Sequence, residues 1–239
     1  MESEDKKKNI LRPPIKNYLT ELPRAMRERY NFSNYIKNFE AEPFGIRRPV
    51  LVIPGFMSSG TSTKPLRDFV EKLGFKVFDW NLGFNWGHLS NLDSLEKWLE
   101  KIYREEEQKI TVIGWSLGGV YGRHLAHEFP DKVAELITLG SPFAGLTEPN
   151  NAAWLFQLIH FKHPVELVDA ELLEKLPQKP DVPTLAIFSK EDGIVPWEAC
   201  RESNPDEYHK NKEVKGSHIG LGMNIQVFEA IFEALREEG

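Results

Sequence analysis

The hydrophobic residues along the chain alternate between short runs and longer stripes with helical spacing. Six short segments have the pattern of buried or half-buried strands, at residues 49–53, 76–80, 110–113, 133–139, 184–188 and 213–215. Apolar residues at intervals of three and four predict helices over residues 63–73, 91–108, 117–129 and 223–236. Because strands alternate with helices, we predict an α/β fold with a doubly wound, mostly parallel sheet of about six strands.

The connection between the fourth and fifth predicted strands, residues 146–182, is too long for an ordinary link. Residues 152–161 within it are almost wholly apolar, which does not suit a surface helix. We interpret the connection as a small helical cap that contributes to an acyl pocket, or alternatively as a segment that only packs on the body. The predicted organisation is an extension, residues 1–45, followed by one domain, residues 46–239, that carries this cap.

The extension contains a predicted amphipathic helix. Its apolar stripe consists of Ile15, Tyr18, Leu19, Leu22, Met26 and Tyr30. Thr20 is the candidate cap, and the main helix is expected to begin near Pro23. The other face carries Arg24, Arg27 and Arg29. We expect the helix to pack on the domain with its charges in water. Contact between this basic helix and an anionic membrane is the alternative interpretation.

Composition narrows the class of protein. The 239 residues include 41% hydrophobic residues and carry a formal net charge of -6, which fits a folded core and gives no argument for nucleic-acid binding. The single cysteine, Cys200, excludes an internal disulfide and a thiol-rich zinc site, and we expect no metal and no cofactor. The first residues lack the apolar core of a signal peptide, and no apolar run is long enough to span a membrane, so we expect a soluble cytoplasmic protein.

The third predicted strand runs directly into the pentapeptide Gly-Trp-Ser-Leu-Gly, residues 114–118, and a predicted helix follows. In this context the pattern indicates a nucleophile elbow, a sharp turn that presents Ser116 above the edge of the sheet. The flanking glycines allow strand and helix to approach closely. The helix N-terminus offers N–H groups and positive potential where an oxyanion would form. Ser116 is therefore the predicted nucleophile.

Further residues suited to acyl transfer follow other predicted strands. The carboxyl ends of parallel strands share one edge of a sheet, so we expect Asp192, His218 and Phe56 to converge on the nucleophile. His218 is the predicted general base, and Asp192 is predicted to orient its imidazole. The predicted oxyanion donors are the backbone N–H groups of Leu117 and Phe56, with Met57 as second choice to Phe56.

Other histidines and acids are weaker candidates. Only His218 sits in a strand–Gly–Ser–His–loop–helix setting; the alternatives are His88, His124, His127, His160, His163 and His209. The neighbouring Gly193 favours Asp192, because an Asp-Gly pair suits a turn that leaves a strand. The alternatives for the acid are Glu191, Asp169 and Glu198.

Five segments resemble motifs of the α/β-hydrolase superfamily, and more narrowly of its bacterial lipases and esterases. They read VIPGF, GWSLGG, TLGSPFAG, SKEDGIVPW and GSHIGL, and the resemblance covers about residues 48–236. It implies a Ser–His–Asp hydrolase at Ser116, Asp192 and His218, in the chain order that the fold uses. Pro54 departs from the pattern, since many relatives carry a histidine there. We also expect no counterpart of the two antiparallel strands that open larger members, because the residues before 49 leave no room for them.

We therefore expect hydrolysis of a carboxylic ester with an apolar acyl group, from a small or lipid-like substrate, through an acyl-Ser116 intermediate. The residues expected to line the pocket are Met57, Trp115, Phe143, Trp154, Phe156 and Trp197, with Phe84 and Trp86 as further candidates. An acyltransferase or a thioesterase would use the same triad. An alternative from another class is a non-catalytic lipid- or membrane-binding module.

Overall fold

The structure is a computed structural model that describes residues 12–40, 42–44, 48–88, 90–144 and 170–237. The strands are β1 (Pro49–Ile53), β2 (Lys76–Asp79), β3 (Ile110–Trp115), β4 (Val133–Leu139), β5 (Thr184–Ser189) and β6 (His209–Val214). The helices are α1 (Ile15–Leu19), α2 (Glu21–Asn38), α3 (Gly60–Lys72), α4 (Ser90–Glu106), α5 (Leu117–Glu128), α6 (Ala170–Lys175) and α7 (Ile225–Glu237). Short 3-10 helices occur at Trp197–Cys200 and Leu221–Met223.

The six strands form one sheet in the order β2-β1-β3-β4-β5-β6, and every neighbouring pair is parallel. The predicted fold class is thereby confirmed. The strand order reverses between β1 and β3, where an open parallel sheet has the crevice that holds its ligands. Strand β6 begins at His209, earlier than the predicted residue 213, because its polar residues lie at the edge of the sheet and do not have the apolar pattern of a buried strand.

Helices cover both faces of the sheet. Strand β1 is buried along its whole length, as expected for a parallel strand between two helical layers. Leu51 and Ile53 point into the core formed with α4 and α5, while Val50 and Val52 point into the core formed with α3 and α7. This arrangement leaves the loops after the strands at one edge, where the predicted site residues lie.

The N-terminal helices pack on the domain through a different face from the one expected. Glu21, Ala25 and Phe32 are buried, and the Phe32 ring lies 4.4 Å from that of Phe228 on α7. The apolar stripe faces outward instead, with exposed fractions between 61% and 75%, and comprises Ile15, Tyr18, Leu19, Leu22, Met26 and Tyr30. The expectation that this stripe packs on the domain is wrong, because polar contacts of the opposite face decide which side turns inward.

Thr20 is the residue before α2, as predicted, but its side chain does not cap that helix. The Thr20 hydroxyl donates instead to the carbonyl oxygens of Lys16 and Asn17 in α1, at 2.9 and 3.2 Å. Helix α2 was expected to begin near Pro23 and begins at Glu21. Among the described residues, no helix is both long enough and apolar enough to cross a membrane.

Candidate active site

Ser116 lies between the last residue of β3 and the first residue of α5. Its φ of 53° is in the left-handed region, which costs a residue with a side chain roughly 1–3 kcal/mol. The strain persists because the turn is crowded: a Cβ on Gly114 would overlap the backbone of Gly118 and Gly119. The Ser116 N–H also donates to the Leu139 carbonyl at 2.8 Å, which fixes the turn to β4.

The structure brings the three predicted triad residues into one hydrogen-bonded chain. The Oγ atom of Ser116 lies 2.9 Å from Nε2 of His218, and Nδ1 of His218 lies 2.6 Å from Oδ2 of Asp192. All three side chains are buried. With the Nδ1 proton on the Asp192 side, Nε2 is the acceptor for the serine O–H, which is the tautomer that base catalysis requires.

Asp192 is fixed by its own turn. Its second oxygen, Oδ1, accepts the backbone N–H groups of Ile194 and Val195 at 2.8 and 2.7 Å. Such a turn leaves Oδ2 to face the imidazole. Glu191 is half-exposed, with its carboxylate 4.0 Å from the Arg24 guanidinium. The alternative acid Asp169 lies outside the described residues.

The pKa of His218 is raised above its ordinary value. Burial alone would lower it, but the charge of Asp192, the hydrogen bond to Asp192 and the charge of Glu21 outweigh that effect. The site therefore favours the imidazolium that forms when the base takes up a proton.

The backbone of the His218 loop is also held in place. The Nε1–H of Trp115 donates to the His218 carbonyl oxygen at 3.2 Å.

Three other described histidines interact with groups outside the chain of Ser116, His218 and Asp192. His124 pairs with Glu96 at 2.7 Å on the α4 side of α5. His209 lies 2.9 Å from Asp206 at the edge strand. Burial and the charge of Arg123 lower the pKa of His127 to about 4. His160 and His163 lie outside the described residues.

The loop after β1, residues 54–59, passes directly over Ser116. A Cβ on Gly55 would lie 3.2 Å from the Ser116 Cβ and 3.9 Å from its Oγ, so the backbone at residue 55 is next to the Ser116 side chain. Leu117 is the first residue of α5, where a backbone N–H has no partner within the helix. The Met57 N–H donates to the Asn85 carbonyl at 2.8 Å, which favours Phe56 over Met57 as the second oxyanion donor.

Asn85 is a residue of the site that the sequence did not reveal. It is fully buried, and its side-chain amide donates to the Pro54 carbonyl oxygen at 2.9 Å. Its backbone N–H donates to the Ser58 carbonyl at 2.8 Å. The loop after β2 thus holds the loop after β1 in place. Residues 81–91 have no periodic pattern, and no sequence signal marks this asparagine.

Two glutamates of α2 also belong to the site and were not predicted. Glu21 accepts backbone N–H groups from Gly193 and His218 at 2.8 and 3.1 Å. Glu28 accepts the N–H and the hydroxyl of Ser217 at 2.9 and 2.8 Å. They lie seven residues apart on the helix face opposite the apolar stripe, a pattern that normally indicates a solvated face.

The residues predicted to bind substrate occupy different environments. Met57 is 55% exposed, while Trp115 and Trp197 are half-buried. The Phe143 ring is fully buried beneath the Arg123 guanidinium, 3.9 Å from its centroid. Trp154 and Phe156 lie outside the described residues. The role of these side chains in binding stays a prediction.

Comparisons with known proteins agree with this architecture. Residues 48–159 match a family model described as alpha/beta hydrolase fold. A pimeloyl-[acyl-carrier protein] methyl ester esterase of Aromatoleum aromaticum is 40% identical over 60 residues, which are 25% of this chain and 24% of that protein. The match therefore spans about a quarter of the length of this curated relative.

Solved structures of lipases are similar to this chain over most of its length. A monoacylglycerol lipase of Paleococcus ferrophilus has a TM-score of 0.56 and 17% identity, and the alignment covers 79% of this chain and 92% of that one. A soluble variant of a monoglyceride lipase from Saccharomyces cerevisiae, in complex with a substrate analog, has a TM-score of 0.57 and 15% identity over 83% and 87% of the two chains. At these identities the likeness establishes a shared fold.

Proposed function

This chain has the α/β-hydrolase fold, as its motifs predicted, and we propose that it is a serine hydrolase that cleaves carboxylic esters with an apolar acyl group. The observation that carries the proposal is the hydrogen-bonded chain from Ser116 through His218 to Asp192. It lies beside Gly55 in the loop of residues 54–59, the loop proposed to carry the second oxyanion donor, which supports the proposal.

In the proposed reaction, the Ser116 Oγ attacks the ester carbonyl carbon while its proton passes to Nε2 of His218. The carbonyl oxygen becomes an oxyanion that accepts the N–H groups of Leu117 and Phe56. Asp192 stabilises the imidazolium, which then gives its proton to the leaving alcohol as the C–O bond breaks. Water then attacks the carbonyl carbon of acyl-Ser116 while Nε2 of His218 takes its proton. The bond from that carbon to Oγ breaks, the acid is released, and His218 returns the proton to Ser116.

Exposed apolar side chains beside the site support an apolar acyl group. Met57 is 55% exposed on the loop that passes over Ser116. Phe84 and Trp86 are 43% and 45% exposed, with ring centroids 4.4 Å apart, on the loop that pairs with it. Apolar surface of this kind lines most ligand pockets. The names of the similar lipases and esterases point to the same class of substrate.

The test is labelling with a fluorophosphonate probe, followed by mapping of the modified residue and by assay with p-nitrophenyl acyl esters of increasing length. We expect an adduct on Ser116 and a burst of p-nitrophenol, both lost in Ser116→Ala. Ser33→Ala, which changes an exposed serine of α2, serves as the control and should retain both. A folded protein that leaves Ser116 unmodified and turns over no ester would overturn the proposal. Adding an alcohol separates hydrolysis from acyl transfer, because a transferase would form the new ester.

We also propose that the outward face of α1 and α2 rests on an anionic lipid surface that carries the substrate. The face exposes six large apolar side chains, and the exposed charged residues between Ile15 and Asn38 are all basic: Lys16, Arg27, Arg29 and Lys37. At about 100° per residue, Arg29 and Arg27 border the stripe on its two sides. Apolar residues flanked by basic ones are the pattern of an interfacial helix.

Co-sedimentation with vesicles tests this partner. We expect binding to anionic vesicles and weak binding to zwitterionic ones, with a loss in the double variant Leu22→Ser/Met26→Ser and a smaller loss in Arg27→Gln/Arg29→Gln. Asn31→Ser, which changes an exposed polar residue of α2, is the matched control. Equal recovery of the variants and the parent protein would contradict the proposal, as would a dimer in solution that buries the stripe. Vesicle binding with no esterase activity would favour a non-catalytic lipid-binding module.

A further inference from the structure

We infer that Glu21 is a positioning residue for the proposed triad: from α2 it holds the Asp192 loop and the His218 loop in register and keeps a negative charge beside the imidazole. This inference rests on the proposed function, because it assigns Glu21 a role toward Asp192 and His218. It makes the N-terminal helix a part of the active site and not an appendage of the domain.

The contacts of Glu21 join two loops that follow different strands. Its Oε1 atom accepts the N–H of Gly193, which follows Asp192, at 2.8 Å and the N–H of His218 at 3.1 Å. Its Oε2 atom accepts the N–H of Ile219 at 3.2 Å. A single carboxylate therefore fixes the spacing between the acid and the base.

The carboxylate is buried, with 3% of its residue surface exposed, yet it is fully surrounded by donors. Besides the three backbone N–H groups, the Arg24 guanidinium donates to its Oε1 atom at 3.0 Å. Arg24 is itself held by the Asn17 carbonyl and the Thr20 hydroxyl, at 2.9 and 3.1 Å. The surrounding donors stabilise the buried charge. Removing the carboxylate would leave several buried donors without an acceptor, which would cost stability.

The two loops are shaped to receive the helices. A Cβ on Gly193 would overlap the backbone of Asn17 and Tyr18, and a Cβ on Gly220 would overlap the Glu28 carboxylate. At Gly193 the clash would be with backbone, so glycine is required there because α1 approaches so closely. Glu28 accepts both hydrogen-bond donors of Ser217, its N–H and its hydroxyl, so the residue before His218 is anchored by the same helix.

The position of Glu21 gives it an electrostatic effect as well as a structural one. Its charge is one of the causes that raise the pKa of His218, after the opposing effect of burial and the larger contribution of Asp192. Among the described residues, the other titratable groups near the imidazole include the Ser116 hydroxyl and, from α2, Glu28 and Arg24; Cys200, Glu191 and Glu198 lie on the Asp192 side. Neutralising Glu21 should therefore lower the pKa of His218, and neutralising Arg24 should raise it.

The experiment compares pH profiles of kcat/KM for a p-nitrophenyl ester in the full chain. In Glu21→Gln, which keeps the length of the side chain, we expect the acidic midpoint to fall by roughly half a pH unit or more, together with a lower kcat. In Arg24→Gln we expect a smaller shift in the opposite direction. Glu21→Asp retains the charge but cannot reach both loops, so its kcat should fall while its midpoint stays near that of the parent. Glu40→Gln, an exposed glutamate after α2, is the control for net charge.

A second measurement keeps the inference separate from the proposed reaction. The titration of His218 followed by NMR in folded Ser116→Ala protein, with and without Glu21→Gln, needs no turnover and should give the same downward shift. If the parent protein hydrolysed no ester, the proposed function would be wrong, but the titration would still test the role of Glu21. An unchanged midpoint in both Glu21→Gln and Arg24→Gln, with only thermal stability altered, would overturn the inference and reduce Glu21 to a structural contact. If Glu21→Gln did not fold, the midpoint of the His218 titration in Arg24→Gln would be the test of the inference.

Discussion

The side-chain amide of Asn85 donates a hydrogen bond to the carbonyl oxygen of Pro54 at 2.9 Å. With the Met57 N–H donating to the Asn85 carbonyl, it ties the loop after β2 to the loop that passes over Ser116. Peptide groups are planar, so the Gly55–Phe56 peptide is the single unit between these two anchored peptides. We propose that Asn85 in this way positions the loop that carries the Phe56 N–H, the proposed oxyanion donor.

Replacing Asn85 by alanine should lower kcat by roughly 10- to 100-fold, since the removal of one oxyanion donor costs up to about 10³-fold and here the donor is only misdirected. The buried Pro54 carbonyl also loses its partner, which should cost about 1–3 kcal/mol of stability. The measurements are kcat for a p-nitrophenyl ester and the free energy of unfolding in urea. Asn31→Ala on the exposed side of α2 is the control. A stability loss with unchanged kcat would show that the loop keeps its geometry without Asn85.

Replacing Asp192 by asparagine should reduce kcat by roughly 10³- to 10⁴-fold with little change in KM. The amide would present an N–H to Nδ1 of His218 in place of an acceptor 2.6 Å away, and the imidazole would adopt the tautomer that cannot accept the serine proton. Asp93→Asn, on an exposed turn of α4, gives the matched change of a carboxylate. If Asp192→Asn retained more than about a tenth of the activity, the assignment of the acid would be wrong.

The pH dependence of the parent protein follows from the raised pKa of His218. Burial lowers that pKa, but the charge and hydrogen bond of Asp192 and the charge of Glu21 together raise it by more than burial lowers it. Only the neutral imidazole can accept the Ser116 proton, so activity is lost as pH falls through this pKa. A raised pKa places the acidic midpoint of kcat/KM above about 6.5, the ordinary value for histidine. A midpoint below that value in a pH profile of the free enzyme would contradict the electrostatics described for the site.

The fold and the convergence of Ser116, Asp192 and His218 could be predicted from the sequence for a common physical reason. Buried parallel strands leave a strong apolar pattern, and parallel topology then forces the residues after the strands to one edge. Ser116, Asp192 and His218 each follow a strand within a few residues, so their convergence could be anticipated without any knowledge of the side-chain contacts.

The supporting residues could not be predicted in this way. Asn85 joins two loops, and Glu21 joins a helix to two loops; such contacts have no periodicity along the chain. The same limit explains the error over α2. A hydrophobic stripe predicts that a helix is amphipathic. Here the carboxylates of Glu21 and Glu28, which accept backbone N–H groups, lie on the inward face, and Leu22 and Met26 remain exposed.

Arg123 provides a test of stability at a distance from the triad. It is a fully buried residue of α5, and it forms two hydrogen bonds with the Glu202 carboxylate, at 2.6 and 3.2 Å. It also donates to the carbonyl oxygens of Leu176 and Gln178 at 2.6 Å each, which attaches the segment after α6 to α5. Burial lowers the pKa of Arg123, and the hydrogen bond and charge of Glu202 oppose that change.

Replacing Arg123 by methionine should therefore reduce the free energy of unfolding by about 3–5 kcal/mol, because Glu202 keeps a buried charge with no cation beside it. Adding Glu202→Met should recover part of the loss, since the double variant leaves no uncompensated charge. Lys64→Met, which breaks the exposed ion pair with Asp68 on α3, should change stability little. The measurement is the free energy of unfolding in urea for Arg123→Met, for the double variant with Glu202→Met, and for Lys64→Met. A double variant less stable than Arg123→Met would contradict the argument, since it would mean that the bonds to Leu176 and Gln178, and not the orphaned carboxylate, account for the loss.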